Sequence, residues 1–167
     1  MNLEELLLLN ISNNKISVLI GNAFRTLKSL LVLDLQHNPL YKVEDYAFNG
    51  LISVSYLSLE SMAISSLQSH SFDGLDNIRH LNLKNNMIHI LPHYVFSALK
   101  TLQSIKLEQN PIDNLGEKNV WSIKSLDEII ADRVSLCCIA VEVNQCHAPV
   151  NDILTSRTDL LGSVILQ

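Results

Sequence analysis

The sequence predicts a solenoid in which one short unit repeats along the chain and contributes one strand of a parallel sheet. Three observations predict it. Large aliphatic residues return at a constant step, at Leu9, Leu33, Leu57, Leu81 and Ile105. Phenylalanine returns at the same step, at Phe24, Phe48, Phe72 and Phe96. Asparagine recurs in a third slot, at Asn14, Asn38, Asn86 and Asn110. A fixed period of about 24 residues is typical of stacked coils that share one core.

The unit from Ile78 to Leu99 shows what each slot does. Leu81 and Leu83 alternate with polar residues at the period of a strand, so both are expected to enter the core. Asn86 ends the strand, and its amide can bond the backbone of a neighbouring coil. Met62 interrupts this asparagine series, so we expect a local defect or a water there.

These slots define a leucine-rich repeat. The predicted fold class is therefore an α/β leucine-rich-repeat solenoid: a right-handed horseshoe with a concave parallel sheet and an irregular or 3-10 helical convex side. Strands are expected near residues 8–10, 32–34, 56–58, 80–82, 104–106 and 128–130. The phenylalanines are expected to stack under the convex side.

Three segments follow from the repeat pattern. Residues 1–125 hold five leucine-rich repeats of about 24 residues each. Residues 126–149 form a terminal half-repeat with a cysteine cap, and residues 150–167 lie beyond the repeat pattern. Val134 occupies the asparagine slot of the half-repeat, and the period stops at Cys137 and Cys138.

The start of the chain is not predicted to be a signal peptide. It lacks a basic beginning, carries Glu4 and Glu5, and has leucines in phase with the repeat. Its apolar runs are also shorter than the roughly 18–20 residues that a membrane span needs. For a protein of the secreted type this predicts a fragment or an incomplete gene model.

Composition narrows the possible functions. A net charge of −5 argues against a nucleic-acid partner and leaves a basic ligand possible. The 6 histidines occupy different repeat positions, and the chain contains no G-x-S-x-G, phosphate-loop or H-E-x-x-H motif. We therefore expect no enzymatic activity and no cofactor.

The 3 cysteines, Cys137, Cys138 and Cys146, lie together near the end of the repeats, where an extracellular solenoid is commonly closed by a disulfide. A zinc site that adds His147 lacks paired C-x-x-C spacing, so no metal is expected. The repeat phase turns Cys138 inward and favours its pairing with Cys146, whereas Cys137 is the other candidate.

The carboxy-terminal residues resemble the hinge of the relaxin-receptor-like, leucine-rich-repeat G-protein-coupled receptors. The resemblance rests on Cys137, on Cys146 nine positions later, on Pro149, on the run Ser156-Arg157-Thr158-Asp159-Leu160-Leu161 and on the final Ile165-Leu166-Gln167. Arg157 and Thr158 replace a Phe and a Glu of that family's pattern. The family's spacing implies a disulfide between Cys137 and Cys146, and the resemblance implies that residues 150–167 are a hinge that leads toward a transmembrane domain.

The resemblance also implies a function: binding of a relaxin-type or insulin-like peptide hormone by the concave sheet of a receptor ectodomain. That family holds arginines of the hormone between concave carboxylates. By position, the matching carboxylates are Asp34, Glu60, Glu108 and Asp132, and the adjoining, largely apolar shelf is Val32, Tyr56 and His80. The alternatives are an adhesion, matrix or innate-immune recognition module, or a face whose charges only maintain solubility.

Asn10 begins the one glycosylation sequon of the sequence, Asn10-Ile11-Ser12. It is expected to project from the concave sheet, where a glycan would obstruct a ligand. We therefore expect poor occupancy, or a ligand footprint nearer the carboxy-terminal repeats.

Overall fold

The computed structural model describes residues 3–113, 123, 125–132 and 145–147 of the 167-residue chain. Seven strands form one sheet: β1 (Leu8–Asn10), β2 (Val32–Asp34), β4 (Tyr56–Ser58), β6 (His80–Asn82), β7 (Ser104–Lys106), β8 (Glu128–Ile130) and β9 (Gln145–His147). Two short strands, β3 (Lys42–Val43) and β5 (Ser66–Leu67), form a second sheet. The described residues include no helix, and turns connect the strands.

The seven-stranded sheet is parallel throughout and follows the order β1-β2-β4-β6-β7-β8-β9. From β1 to β8 each residue pairs with its counterpart one repeat later, as Leu33 with Leu57 and Leu57 with Leu81. All six predicted strands are therefore confirmed, and so is the leucine-rich-repeat solenoid.

The seventh strand, β9, was not expected. Ile105 pairs with Ile129 one full repeat later, whereas Ile129 pairs with Cys146, which lies closer along the chain. The last connection is thus shorter than a full repeat, which is why the periodic pattern does not reach β9. Cys137 and Cys138, and with them the disulfide prediction, lie outside the described residues.

The core is a set of uniform rows that run along the solenoid. In the seven-stranded sheet, each strand from β2 to β8 contributes one buried aliphatic side chain at its centre: Leu33, Leu57, Leu81, Ile105 and Ile129. The phenylalanines form the expected stack, with ring centroids 6.3 Å apart for Phe24 and Phe48, 6.0 Å for Phe48 and Phe72, and 5.8 Å for Phe72 and Phe96. Identical side chains at one register position therefore pack coil against coil.

The asparagines tie each coil to the one before it. Asn86, which is buried, donates from Nδ2 to the carbonyl oxygens of Leu59 and Leu83 at 2.8 and 2.9 Å. Its Oδ1 accepts the backbone N–H groups of Met62 and Ile64 at 3.2 and 2.9 Å. One amide thus satisfies backbone groups of two coils that would otherwise be buried without partners.

Met62 leaves the expected defect in this ladder. Asn38, Asn86 and Asn110 each accept an N–H from an isoleucine of the preceding coil, at Ile16, Ile64 and Ile88. By the same spacing, the N–H group that an asparagine at position 62 would accept is that of Leu40. Within the part of the chain that the structure describes, the buried Leu40 amide makes no hydrogen bond. Met62 is itself fully buried, so it fills the space without supplying an acceptor.

No helix in the described segments is long and apolar enough to cross a membrane.

Candidate ligand-binding face

Three rows of outward-facing residues cover the concave side of the sheet. The first row holds Leu8, Val32, Tyr56, His80, Ser104 and Glu128 at the starts of the strands. The second holds Asn10, Asp34, Ser58, Asn82, Lys106 and Ile130 at their ends. The third, two positions further on, holds Ser12, Gln36, Glu60, Lys84, Glu108 and Asp132. Adjacent strands of a sheet lie about 4.8 Å apart, so each row places its side chains at a spacing that one extended ligand could span.

Two of the predicted carboxylates are held by neutral donors on this face. Asp34 accepts the backbone N–H of Gln36 at 3.1 Å through Oδ1 and the amide of Asn10 at 3.3 Å through Oδ2. Glu60 accepts the Nδ2–H of Asn82 at 2.8 Å. These bonds fix the carboxylate positions while leaving each negative charge in place.

Asp132 makes a hydrogen bond that a backbone carbonyl makes in the preceding coils. Along the solenoid the N–H groups of His37, Ser61 and Asn85 bond the backbone carbonyl of the next coil. At the next position the N–H of Gln109 bonds Oδ2 of Asp132 at 2.5 Å instead. The Asp132 side chain thus replaces a carbonyl at the coil where the regular repeat ends.

Glu108 differs from the other three carboxylates. One of its oxygens, Oε2, is buried and has no hydrogen-bond partner among the described residues. Burying a polar atom without a partner is costly, so Glu108 is the least well satisfied of the four carboxylates.

The four carboxylates also lack cationic partners. Within the described ranges the one lysine or arginine ion pair is Lys42 with Glu44 at 3.2 Å, and the His70 ring contacts Asp73 at 3.0 Å. Neither contact includes Asp34, Glu60, Glu108 or Asp132. Among the described residues these four carboxylates therefore form no direct ion pair, although Lys84 stands between Glu60 and Glu108 in the third row.

A concavity of about 260 Å³ lies on this face at β4, β6, β7 and β8. Its lining includes Tyr56, His80, Asn82, Ser104, Lys106 and Glu128. The structure thus brings together Tyr56 and His80 of the predicted shelf, whereas Val32 and the four predicted carboxylates do not line the concavity. Ser104 donates to Oε2 of Glu128 at 2.8 Å, which orients that carboxylate.

The sequence-based site list omitted Asn82, Ser104, Lys106 and Glu128. Their rows could have indicated them, because each belongs to a row that already contained a predicted residue. That the concavity forms at these strands depends on side-chain size and direction, which the period alone does not specify.

The sequon residue Asn10 lies on the exposed concave face of β1. Its Oδ1 accepts the backbone N–H and the hydroxyl of Ser12 at 3.0 and 2.7 Å, and its Nδ2 points to Asp34. A glycan on Nδ2 would therefore adjoin Asp34.

No group of three or more histidine, cysteine, aspartate or glutamate side chains among the described residues is placed to hold a metal ion.

Stacked coils with a varied concave sheet define a class of protein, the repeat scaffolds that typically serve recognition and not catalysis. The leucine-rich repeat model matches residues 1–40 and 32–88, which together are more than half of the 167 residues. The chain belongs to the leucine-rich repeat family. No curated protein sequence matches it.

Solved structures of the Toll–Spatzle complex of Drosophila, described as a molecular hub in development and innate immunity, contain similar chains. One superposes with a TM-score of 0.71 and 25% identity, covering 78% of this chain and 18% of that chain. The glycosylated form gives 0.71 and 26% over the same shares, 78% and 18%. This chain thus spans less than a fifth of the length of those chains.

Proposed function

We propose that the chain is part of the extracellular ligand-binding region of a cell-surface receptor, and that its concave sheet binds a peptide or protein ligand. The observation that carries this proposal is the outward face itself: a concavity of about 260 Å³ beside carboxylates that have no cationic partner among the described residues. The core rows use their side chains for packing, whereas the outward rows change from strand to strand. The likeness to chains of the Toll–Spatzle complex supports a protein ligand.

The finer proposal is a hormone of the relaxin or insulin-like type, bound by a G-protein-coupled receptor. The hinge resemblance supports it, although those residues lie outside the described part of the chain. The positions of Asp34, Glu60 and Glu108 also support it, because unneutralised carboxylates on a rigid sheet suit arginine side chains of a ligand. Asp132 contributes less, since it already bonds the Gln109 backbone.

The same proposal includes the division of the chain into three segments and a disulfide at the end of the repeats. Residues 1–125 supply the repeats, residues 126–149 the terminal half-repeat and cysteine cap, and residues 150–167 the hinge toward a transmembrane domain. A Cys137–Cys146 disulfide would close the cap.

A second candidate is a recognition module of the Toll type, acting in innate immunity or development. The specific observation in its favour is the superposition over 78% of this chain. The two candidates share the concave sheet and differ in the ligand.

The test is binding of the full chain to two probes, a relaxin-type hormone and Spatzle, measured by surface plasmon resonance. The variant Asp34→Asn/Glu60→Gln/Glu108→Gln removes three concave charges with little change in shape. We expect it to weaken hormone binding by about tenfold or more. The matched control is Glu44→Gln/Asp76→Asn/Asp113→Asn, which neutralises three exposed carboxylates away from the concave rows.

Hormone binding that falls in the concave variant and not in the control supports the finer proposal. Binding of Spatzle alone favours the second candidate. Equal loss in both variants shows that the concave carboxylates have no special role, and binding of neither probe rejects both ligand assignments.

For Asn10 we propose that glycan occupancy and use of Asp34 by a ligand exclude each other. Mass spectrometry of the secreted chain measures occupancy. Full occupancy together with a ligand contact at Asp34 would contradict this proposal.

A further inference from the structure

A second groove lies beside the concave face, along the residues that precede the strands. It has a volume of about 500 Å³, and its lining includes Ser53, Ser55, Asn77, Arg79 and His80. We call it the strand-start groove. His80 lines both this groove and the concavity of the sheet, so the two are adjacent.

The charge of the strand-start groove is one-sided. Arg79 and His80 line it, and within the described residues no carboxylate does. The exposed guanidinium of Arg79 forms no ion pair with any described carboxylate either, since the one lysine or arginine pair there is Lys42 with Glu44. This is an unneutralised cation in a chain whose net charge is −5.

Among the neutral groups of the groove, the Asn77 amide has a donor hydrogen to spare, whereas the Ser55 hydroxyl already donates its one hydrogen. Asn77 uses one N–H to bond the Ile52 carbonyl at 2.7 Å, which leaves its second N–H. Ser55 makes a long bond of 3.3 Å to the Leu31 carbonyl. Arg79 itself carries five N–H groups in a planar fork, a shape that matches the two oxygens of a carboxylate.

We propose that the strand-start groove binds an acidic side chain, aspartate or glutamate, of the protein ligand that the concave sheet recognises. Arg79 holds the carboxylate, and Asn77 and His80 supply further donors. A single guanidinium in an acidic protein suits one carboxylate better than a polyanion, which needs several cations close together. The inference rests on the proposed function, because it names a chemical feature of the same ligand.

The proposal adds a requirement to the ligand. Carboxylates on the second and third rows favour basic ligand residues, whereas the strand-start groove favours an acidic one. A ligand that satisfies both must carry the two charges at separate places. The groove therefore fixes the direction in which the ligand lies across the sheet.

The experiment selects binders from a displayed library of random dodecapeptides on the immobilised full chain. Three proteins are compared: wild type, Arg79→Glu, and the control Arg25→Glu, which reverses another exposed arginine that does not line the groove. Arg79 and Arg25 are both exposed, so the variants are expected to melt at the wild-type temperature, which circular dichroism checks.

We expect wild type and Arg25→Glu to enrich peptides with an aspartate or glutamate at one shared position, and Arg79→Glu to replace it by lysine or arginine. A wild-type-selected peptide should bind Arg79→Glu about tenfold more weakly and Arg25→Glu within about twofold. Exchanging its acidic residue for lysine should restore binding to Arg79→Glu.

Two outcomes overturn the inference and leave the proposed function standing: wild type selects peptides without an acidic position, or Arg79→Glu retains the wild-type consensus. A third, in which wild type enriches no peptide over the bare surface, overturns the inference together with recognition of peptides by this face.

Discussion

The two sides of each strand differ in how much their residues vary. The inward row keeps one chemistry from coil to coil, and Leu33, Leu57, Leu81, Ile105 and Ile129 are all at most 2% exposed. The outward second row on the same strands has a different residue each time, running Asp34, Ser58, Asn82, Lys106 and Ile130. Each inward residue must fit its copies in the neighbouring coils, whereas the exposure of the outward residues varies along the row: Ser58 and Asn82 are buried and Lys106 is exposed.

This difference separates stability from recognition. Solenoid stability is approximately a sum of coil interiors and contacts between neighbouring coils, and the inward rows supply both. The exposed members of the outward rows can change without disturbing them. Substitutions on the two sides should therefore have separable effects, and the following experiments measure that separation from the largest effect to the smallest.

The largest effect is expected from Phe72→Ala. Phe72 is fully buried and stacks between Phe48 and Phe96, at 6.0 and 5.8 Å. Its truncation should lower the free energy of unfolding by about 3–5 kcal/mol. Urea unfolding followed by circular dichroism measures it. Phe24→Ala is the control, because Phe24 stacks on one neighbour only, at 6.3 Å, and should cost less. A larger loss for Phe24 would contradict additive contacts between coils.

Asn86→Ala tests the polar part of the interior. The substitution removes the hydrogen bonds that the Asn86 side chain donates to two buried backbone carbonyls and accepts from two buried backbone N–H groups. The expected loss is about 2–3 kcal/mol, because these groups remain buried without partners. Asn14 is exposed and bonds the Ile11 and Ser12 carbonyls, so Asn14→Ala is the control. It should lower the free energy of unfolding by less than about 1 kcal/mol. Equal losses would show that the ladder adds nothing beyond local turns.

On the outward side, Tyr56→Ala should affect binding and spare stability. Tyr56 lines the concavity and is 37% exposed. Removing its side chain should weaken the binding of a peptide selected on wild type by about 1–2 kcal/mol. The free energy of unfolding should change by less than about 0.5 kcal/mol. Tyr41→Ala changes another exposed tyrosine, next to β3, and should leave binding unaltered. Fluorescence anisotropy gives the dissociation constants, and a comparable loss at Tyr41 would argue against a concave site.

The smallest effect concerns one amide. The N–H of Leu40 has no acceptor within the described residues, whereas those of Ile64 and Ile88 bond Asn86 and Asn110. Its hydrogen exchange, read by NMR, should be about tenfold faster than theirs. Met62→Asn should slow it by restoring the acceptor. Protection of Leu40 in wild type equal to that of Ile64 would mean that the ladder has no gap.

Sequence periodicity was sufficient for the parts of the fold that repeat. The strand positions from β1 to β8, the phenylalanine stack and the gap at Met62 follow from the constant step between equivalent residues, because each slot meets the same neighbours in every coil. Periodicity was insufficient for β9, since the step from Ile129 to Cys146 is shorter than a repeat and no asparagine slot marks it.

From the sequence, only the rows of the candidate site were predictable. The rows follow from strand alternation, so Tyr56 and His80 were placed on the correct face. The use of Asp132 as a substitute carbonyl depends on where the repeat ends, and the buried oxygen of Glu108 depends on side-chain torsions. The repeat period specifies neither of these features, and it does not specify which residues line the concavity.

The most direct test of the account is where a bound peptide touches the protein. The full chain, isotopically labelled, is titrated with a peptide selected on wild type, and NMR shift changes are mapped residue by residue. The account predicts the largest changes at Tyr56, His80 and Lys106. Changes confined to Tyr46, His70 and Asp73, which lie outside the concave rows, would show that the concave sheet is not the binding face.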